Sequence, residues 1–292
     1  MAVKKKDRAF GCVNGCIMLL LSAMFIIPFL LILSASVTRN SVLQANGVSL
    51  LIRGFNLEGY KYLFSMSDLF VRSIFFTLGL AFLVAALNIL VATLAAYALS
   101  KKYLVGRRVI SLVILCSGLF NGGMIPTYLV IRAIGIYDTM WALVLPSVAG
   151  SYNMLLMRNY FYGIPASLED AAKIDGAGDL QVLVKTYLPL SMPMMFTIGL
   201  MSFVGRWNGW MDSLLYLGAN SENLWTIQYV LQQMLTDMQS LFGSTSSTSL
   251  TTAPLLQIEN AAIVITAIPL VLLSPLLQKF FTRGLTAGGE KG

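Results

Sequence analysis

Six long runs of apolar residues, separated by shorter polar segments, limit what this chain can fold into. They cover residues 10–35, 71–99, 109–131, 139–160, 192–217 and 261–277. A helix rises about 1.5 Å per residue, so about 20 residues cross the hydrocarbon core of a bilayer, and each run is a candidate span. In lipid the backbone must satisfy its own N–H and C=O groups, which for runs of this length means helices. Of the 292 residues 57% are hydrophobic and only 11% charged, and the mean hydropathy is +0.76, so an ordinary soluble domain is excluded. The sequence predicts an all-α membrane protein with six transmembrane helices and a core over residues 71–277.

Charge sets the expected orientation. Residues 1–9, 100–108, 158–190 and 278–292 hold fourteen of the twenty Lys and Arg residues; the other side holds five, Arg39, Arg53, Lys61, Arg72 and Arg132, and Arg206 lies within a run. The positive-inside rule then places both termini, residues 1–9 and 278–292, and the polar segment 163–190 in the cytoplasm, with segments 36–70 and 218–258 external. The net charge of +7 is accordingly a topology signal and not the footprint of a nucleic-acid partner. The first run is longer than a signal-peptide core and is expected to stay as a span.

Covalent chemistry has few candidates. There is no histidine, and Cys12, Cys16 and Cys116 lie in apolar runs without disulfide or metal spacing. A phosphate-cradling Gly-x-x-x-x-Gly-Lys-Ser/Thr loop is also missing. No catalytic residue, metal ligand or cofactor site is expected.

The most distinctive polar stretch runs from Ser167 to Pro189. Ser167 is expected to cap a short helix, with Asp170 returning the bond, and Glu169 and Asp170 favour its positive end. Ala171 and Ala172 leave one flank low enough for a partner to approach. Gly176 would end the helix in the left-handed conformation. A second short helix, from about Asp179 to Tyr187, would be closed by Pro189 and Pro193.

The fifth run contains Arg206, about fifteen residues, or roughly 22 Å at helical rise, from its cytoplasmic end. A charge at that depth needs water or a partner. Trp207, Asn208, Trp210 and Asp212 surround it in sequence. Aromatic faces stack on sugar rings, and Arg, Asn and Asp supply the donors and acceptors that hydroxyls or uronate carboxylates require. Alternatively, Arg206 pairs with a carboxylate, Asp212 or one on a partner subunit, and the tryptophans form an interfacial belt. Asn121, Tyr152 and Asn153 are further candidates for the same pathway. Within the external segment 218–258, the Ser/Thr tract Ser244–Thr252 reads as a flexible linker, and Leu224–Met238 as an amphipathic helix for a membrane surface or an external partner.

Asp170-Ala171-Ala172, three residues, Gly176, nine residues, Thr186, one residue, Leu188-Pro189 resembles the EAA loop of ABC importer permeases. Asp170 stands where that pattern has Glu, and Thr186 where it has Ile. Together with LEGYKYLF, AYALSKK, FNGGMIPTYLVIRAIGIYDTMWALVLP, RNYFYGIPASLEDAAKIDGAG and LLQKFFTRGLTAGGEKG, the chain resembles bacterial carbohydrate permeases of the maltose-type second-permease branch. Within it, the oligosaccharide and aldouronate group is nearest. The resemblance implies the ABC type I importer permease fold in the bacterial cytoplasmic (inner) membrane. It also implies a coupling helix carrying Glu169, Asp170, Ala171, Ala172, Asp175, Gly176, Leu188 and Pro189. Implied partners are a homologous second permease, two ABC ATPase subunits that hold the ATP and Mg, and an extracellular or periplasmic sugar-binding protein. The chain itself would be no enzyme. An ABC permease for a non-sugar solute is the alternative, then a secondary transporter, which would need an inverted repeat and midplane carboxylates.

Overall fold

The computed structural model describes residues 2–66, 68–120, 122–219, 221–243 and 255–289. The described residues are helical almost throughout, and the only β pairing among them is an isolated bridge between Thr38 and Phe55. Among the described residues, three helices are long and apolar enough to cross a membrane unaided: Val13–Ser36, Asp68–Ser100 and Leu256–Leu273. Three bent helix pairs bring the number to six if each pair counts as one span.

The chain divides into two compact units. The first comprises Met1–Asp68 and Met234–Ile268. Its long helix α1 (Ala2–Ser36) leaves large apolar side chains exposed along its length, Phe25 and Phe29 among them. Beyond it, the short helices α2 (Asn40–Asn46) and α3 (Glu58–Met66) fold back through the Thr38–Phe55 bridge. Tyr60 donates to the Ser36 hydroxyl at 2.8 Å, and Leu43 and Leu63 are buried. Gly59 permits a close approach, since a Cβ there would lie 2.9 Å from Gln257 Cγ.

The second unit comprises Leu69–Gln233 and Pro269–Gly292. Helix α4 (Asp68–Ser100) runs through it unbroken and buries Ala81, Ala85, Ala92 and Ala96. Such small residues let helix backbones approach in lipid. The expected third span is not straight: α5 (Arg107–Leu119) and α6 (Met124–Ala133) meet at 116°. Gly123, at φ 91°, supplies a backbone conformation that other residues rarely adopt. The fourth is α7 (Met140–Val148) and α8 (Ser151–Tyr162), bent by 41° next to Pro146 and Gly150. After α9 (Ala166–Ile174) and α10 (Asp179–Leu190), the fifth expected span ends as a helix at Trp207 in α11 (Met192–Trp207). It restarts as α12 (Met211–Tyr216) after the Asn208-Gly209 break. Helices α13 (Ile227–Gly243) and α14 (Leu255–Gly289) complete the chain; the Ser244–Thr252 tract lies outside the described residues.

Candidate functional site

The polar stretch becomes two helices packed on the end of the bundle. Pro165, at φ −58° and ψ 130°, occupies the cap position of α9, and no side chain caps it. The expected Ser167 cap is thus corrected: proline fixes φ early, the helix begins at Ala166, and Ser167 lies within its first turn. Gly176 has φ 82°. The Ala177 N–H bonds the Ala172 carbonyl at 2.9 Å and the Gly176 N–H bonds that of Lys173 at 3.0 Å, the pattern of a left-handed helix stop. Helix α10 continues past the expected Tyr187 to Leu190, with a π-turn over Leu183–Tyr187; Lys185 is exposed and Tyr187 buried.

Helix α9 has two unlike faces. On the inner one, Glu169 is 15% exposed and forms ion pairs with Lys101 at 2.7 Å and Lys173 at 2.8 Å. Tyr187 donates its hydroxyl to the same carboxylate at 2.8 Å. Lys101 is 6% exposed and lies 4.0 Å from the Tyr97 ring centroid and 4.8 Å from that of Tyr187. Burial pushes the Glu169 carboxyl up, but the two ammonium groups and the phenol outweigh it and hold it at about 2. Burial, then the Glu169 carboxylate, push the Tyr187 hydroxyl well above the usual phenol range.

Behind this clasp lies an apolar cluster that joins α4, α8, α10 and α11. Ala92, Tyr97, Met157, Phe161, Leu183, Tyr187 and Ile198 are buried in it. Tyr187 meets Tyr97 and Phe161 edge-on, at centroid distances of 5.2 and 5.1 Å. Each such aromatic pair adds about 0.5–1.5 kcal/mol beyond the area it buries. Asp179 ties the start of α10 to α4, accepting from Tyr97 at its carbonyl and from Tyr103 at its carboxylate, each at 2.8 Å.

On the outer face Ser167, Asp170, Ala171 and Ile174 follow the i, i+3, i+4, i+7 pattern and are all exposed. Ile174 is 86% exposed, and Asp175 and Gly176 continue the open surface. Of the residues expected on a docking surface, Asp170, Ala171, Asp175, Gly176 and Pro189 face outward. Ala172 and Leu188 are half-buried against the apolar cluster. Glu169 faces the chain's own Lys101 and Tyr187 and not the open side. Sequence reading missed Lys101, Tyr97, Tyr103, Asp179 and Tyr187. The available signal was weak: a lysine just after an apolar run, and tyrosines in the return helix.

The second candidate cluster turns inward. The Arg206 guanidinium is buried and bonds Asp212 at 2.7 Å, the Leu143 carbonyl at 3.2 Å and the Gly209 carbonyl at 3.3 Å. Of the two readings of Arg206, the intrachain carboxylate partner is the one seen. A Cβ at Gly209 would lie 2.6 Å from the Arg206 Nη2, so glycine there leaves room for the guanidinium. Trp207 is fully buried and stacks on Phe203. Arg206 and Trp207 therefore do not present their side chains to open space in this chain, whereas Asn208 is exposed and Trp210 half-buried. Asn153 donates to Asn88 at 3.1 Å and to Ser202 at 3.4 Å, and Asn88 donates to the Ser147 carbonyl at 3.0 Å. Tyr152 is 65% exposed, and Asn121 lies outside the described residues.

Comparison with known proteins accounts for nearly the whole length. Residues 62–287 match the family model described as binding-protein-dependent transport system inner membrane component. The chain is 34% identical, over 98% of its length and 100% of the relative's, to the polygalacturonan/rhamnogalacturonan transport system permease protein YtcP of Bacillus subtilis (strain 168). It is 35% identical to protein LplC of the same organism, over 99% of this chain and 97% of that one. A solved chain from a bacterial ABC transporter involved in the import of the acidic polysaccharide alginate matches with a TM-score of 0.84 and 31% identity, covering 94% of this chain and 98% of that one.

Proposed function

The chain belongs to the family of binding-protein-dependent transport system inner membrane components, and from that premise we propose that it is the permease subunit of an ABC importer for an acidic oligosaccharide. The likeness to permeases of polygalacturonan/rhamnogalacturonan and alginate transporters supports the cargo class. The observation that carries the mechanism is the clasped helix α9, held to the bundle through Glu169 while its Asp170, Ala171 and Ile174 face stays open.

The chain spans the cytoplasmic membrane with both termini and α9 on the cytoplasmic side. An ATPase subunit receives the outer stripe of α9 in a groove. When two ATPase subunits close on ATP, α9 is carried with them. The Glu169–Lys101 pair passes that displacement to the end of α4, and Tyr187 passes it to the cluster shared with α8 and α11. The bundle, paired with a homologous second permease, then opens outward to accept sugar from an external binding protein, and hydrolysis resets it. ATP and Mg stay on the ATPase subunits, and this chain makes or breaks no covalent bond.

A mild-detergent pull-down from the native operon, read by mass spectrometry, tests the reading. The expected result is recovery of a second permease, an ATPase and a sugar-binding protein. Recovery of this chain alone in every detergent, with loss of the gene leaving acidic-oligosaccharide uptake unchanged, would overturn it.

A further inference from the structure

The turn between α4 and α5 forms an open cleft that the coupling clasp does not use. Lys102, Leu104, Gly106, Arg107, Arg108 and Val109 line a space of about 450 Å3. Three of the six are cations and none is acidic. The ion pairs among the described residues involve Lys101, Glu169, Lys173, Asp179, Arg206 and Asp212, so Lys102, Arg107 and Arg108 have no carboxylate partner there. Lys101, next in sequence, is by contrast buried and paired. Gly106, at φ 76°, turns the chain so that α5 starts at Arg107, and no side chain caps that start. The positive end of the helix thus adds to the field of the three side chains.

A second observation identifies what kind of anion fits. Helix α5 buries none of its residues, and Val105 (91%), Val109 (65%), Leu112 and Val113 are exposed. Apolar surface therefore begins beside the cations and continues along a candidate span. Soluble phosphate would use only the cationic end; an amphiphile with an anionic head and hydrocarbon tails uses both. We propose that this cleft binds the headgroup of an anionic phospholipid of the cytoplasmic leaflet, with the acyl chains lying along α5. Basic pockets beside membrane helices on that side suit such headgroups, and arginine forks match phosphate oxygens. The inference rests on the cytoplasmic placement of residues 100–108 given above.

The test uses the assembled importer, reconstituted in vesicles of phosphatidylcholine with phosphatidylglycerol and re-extracted for native mass spectrometry. The parent complex is expected to retain phosphatidylglycerol in preference to phosphatidylcholine. The triple variant K102Q/R107Q/R108Q should lose that preference by roughly 100-fold, three cations each acting on an anionic surface. Equal retention by parent and variant overturns the site. So does displacement of the lipid by inorganic phosphate, which would reduce the cleft to an anion site. Loss of the second permease or the ATPase from the triple variant also overturns it, since the cleft would then be a protein contact. Orientation is read separately, by reacting Val105→Cys with an impermeant maleimide. Labelling in intact cells sinks the topology and the lipid claim with it. Labelling only in opened membranes, without the lipid preference, sinks the lipid claim alone.

Discussion

Glu169 is one side chain with three partners, and its behaviour with pH follows from them. Its carboxyl is held at about 2, below its ordinary 4.5, so the stability it contributes is fully present above 4.5 and is lost as pH falls through 2. With Lys173, one of its partners, exposed and screened by solvent, the depression corresponds to no more than about 3 kcal/mol. The melting temperature of the purified complex should therefore show no pH dependence from this group between neutral pH and about 4.5, then fall. In Glu169→Gln the plateau should be lower and that acid limb absent; a variant with the parent's profile would mean that the clasp contributes nothing. Arg206 allows a similar argument. Asp212→Asn leaves a buried guanidinium without its charged partner and should cost about 1–3 kcal/mol of stability, read as a lower melting temperature. Both charges are plain in the sequence. Asp212 is readable beside Arg206 as a candidate partner, but Lys101 for Glu169 and the Leu143 carbonyl for Arg206 are not, because only folding joins them.

At the scale of the element, α9 is a short helix whose value lies in having two faces and a defined end. Gly176 has open space around a would-be Cβ, so within this chain substitution there acts through its φ of 82°. Gly176→Val should strain the stop by about 1–3 kcal/mol and uncouple transport while insertion continues; Gly176→Asn, which tolerates left-handed backbone, should recover most uptake. The check is uptake against membrane abundance, and normal uptake by the valine variant would count against coupling through α9. Ile174→Asp places a charge on the most exposed apolar residue of the outer stripe and should weaken ATPase co-purification without lowering expression of the chain. The start of α9 shows how local rules compete. Ser167 has the right chemistry for a cap, but Pro165 had already set the backbone. Gly176 was legible because a left-handed stop depends on its own residue and near neighbours.

For the whole molecule, the expected outcome is that deleting the gene abolishes growth or uptake on an acidic oligosaccharide, and that complementation restores it; unchanged uptake would remove the cargo assignment. Hydropathy and charge bias are sums over neighbouring residues, so the sequence by itself determined the apolar runs, the membrane class, the expected orientation and the polar stretch from Ser167 to Pro189. The family resemblance was readable for the same reason, since its motif is a set of spacings. Only the tertiary structure decided that the third run breaks by 116°, that Glu169 faces inward to Lys101 and Tyr187, and that the Arg206 Nη atoms bond Asp212 and two carbonyls. These depend on which helices meet and at what angle. A one-dimensional pattern carries no such distances: the contacts arise when apolar faces pack and buried polar groups must find partners inside the fold.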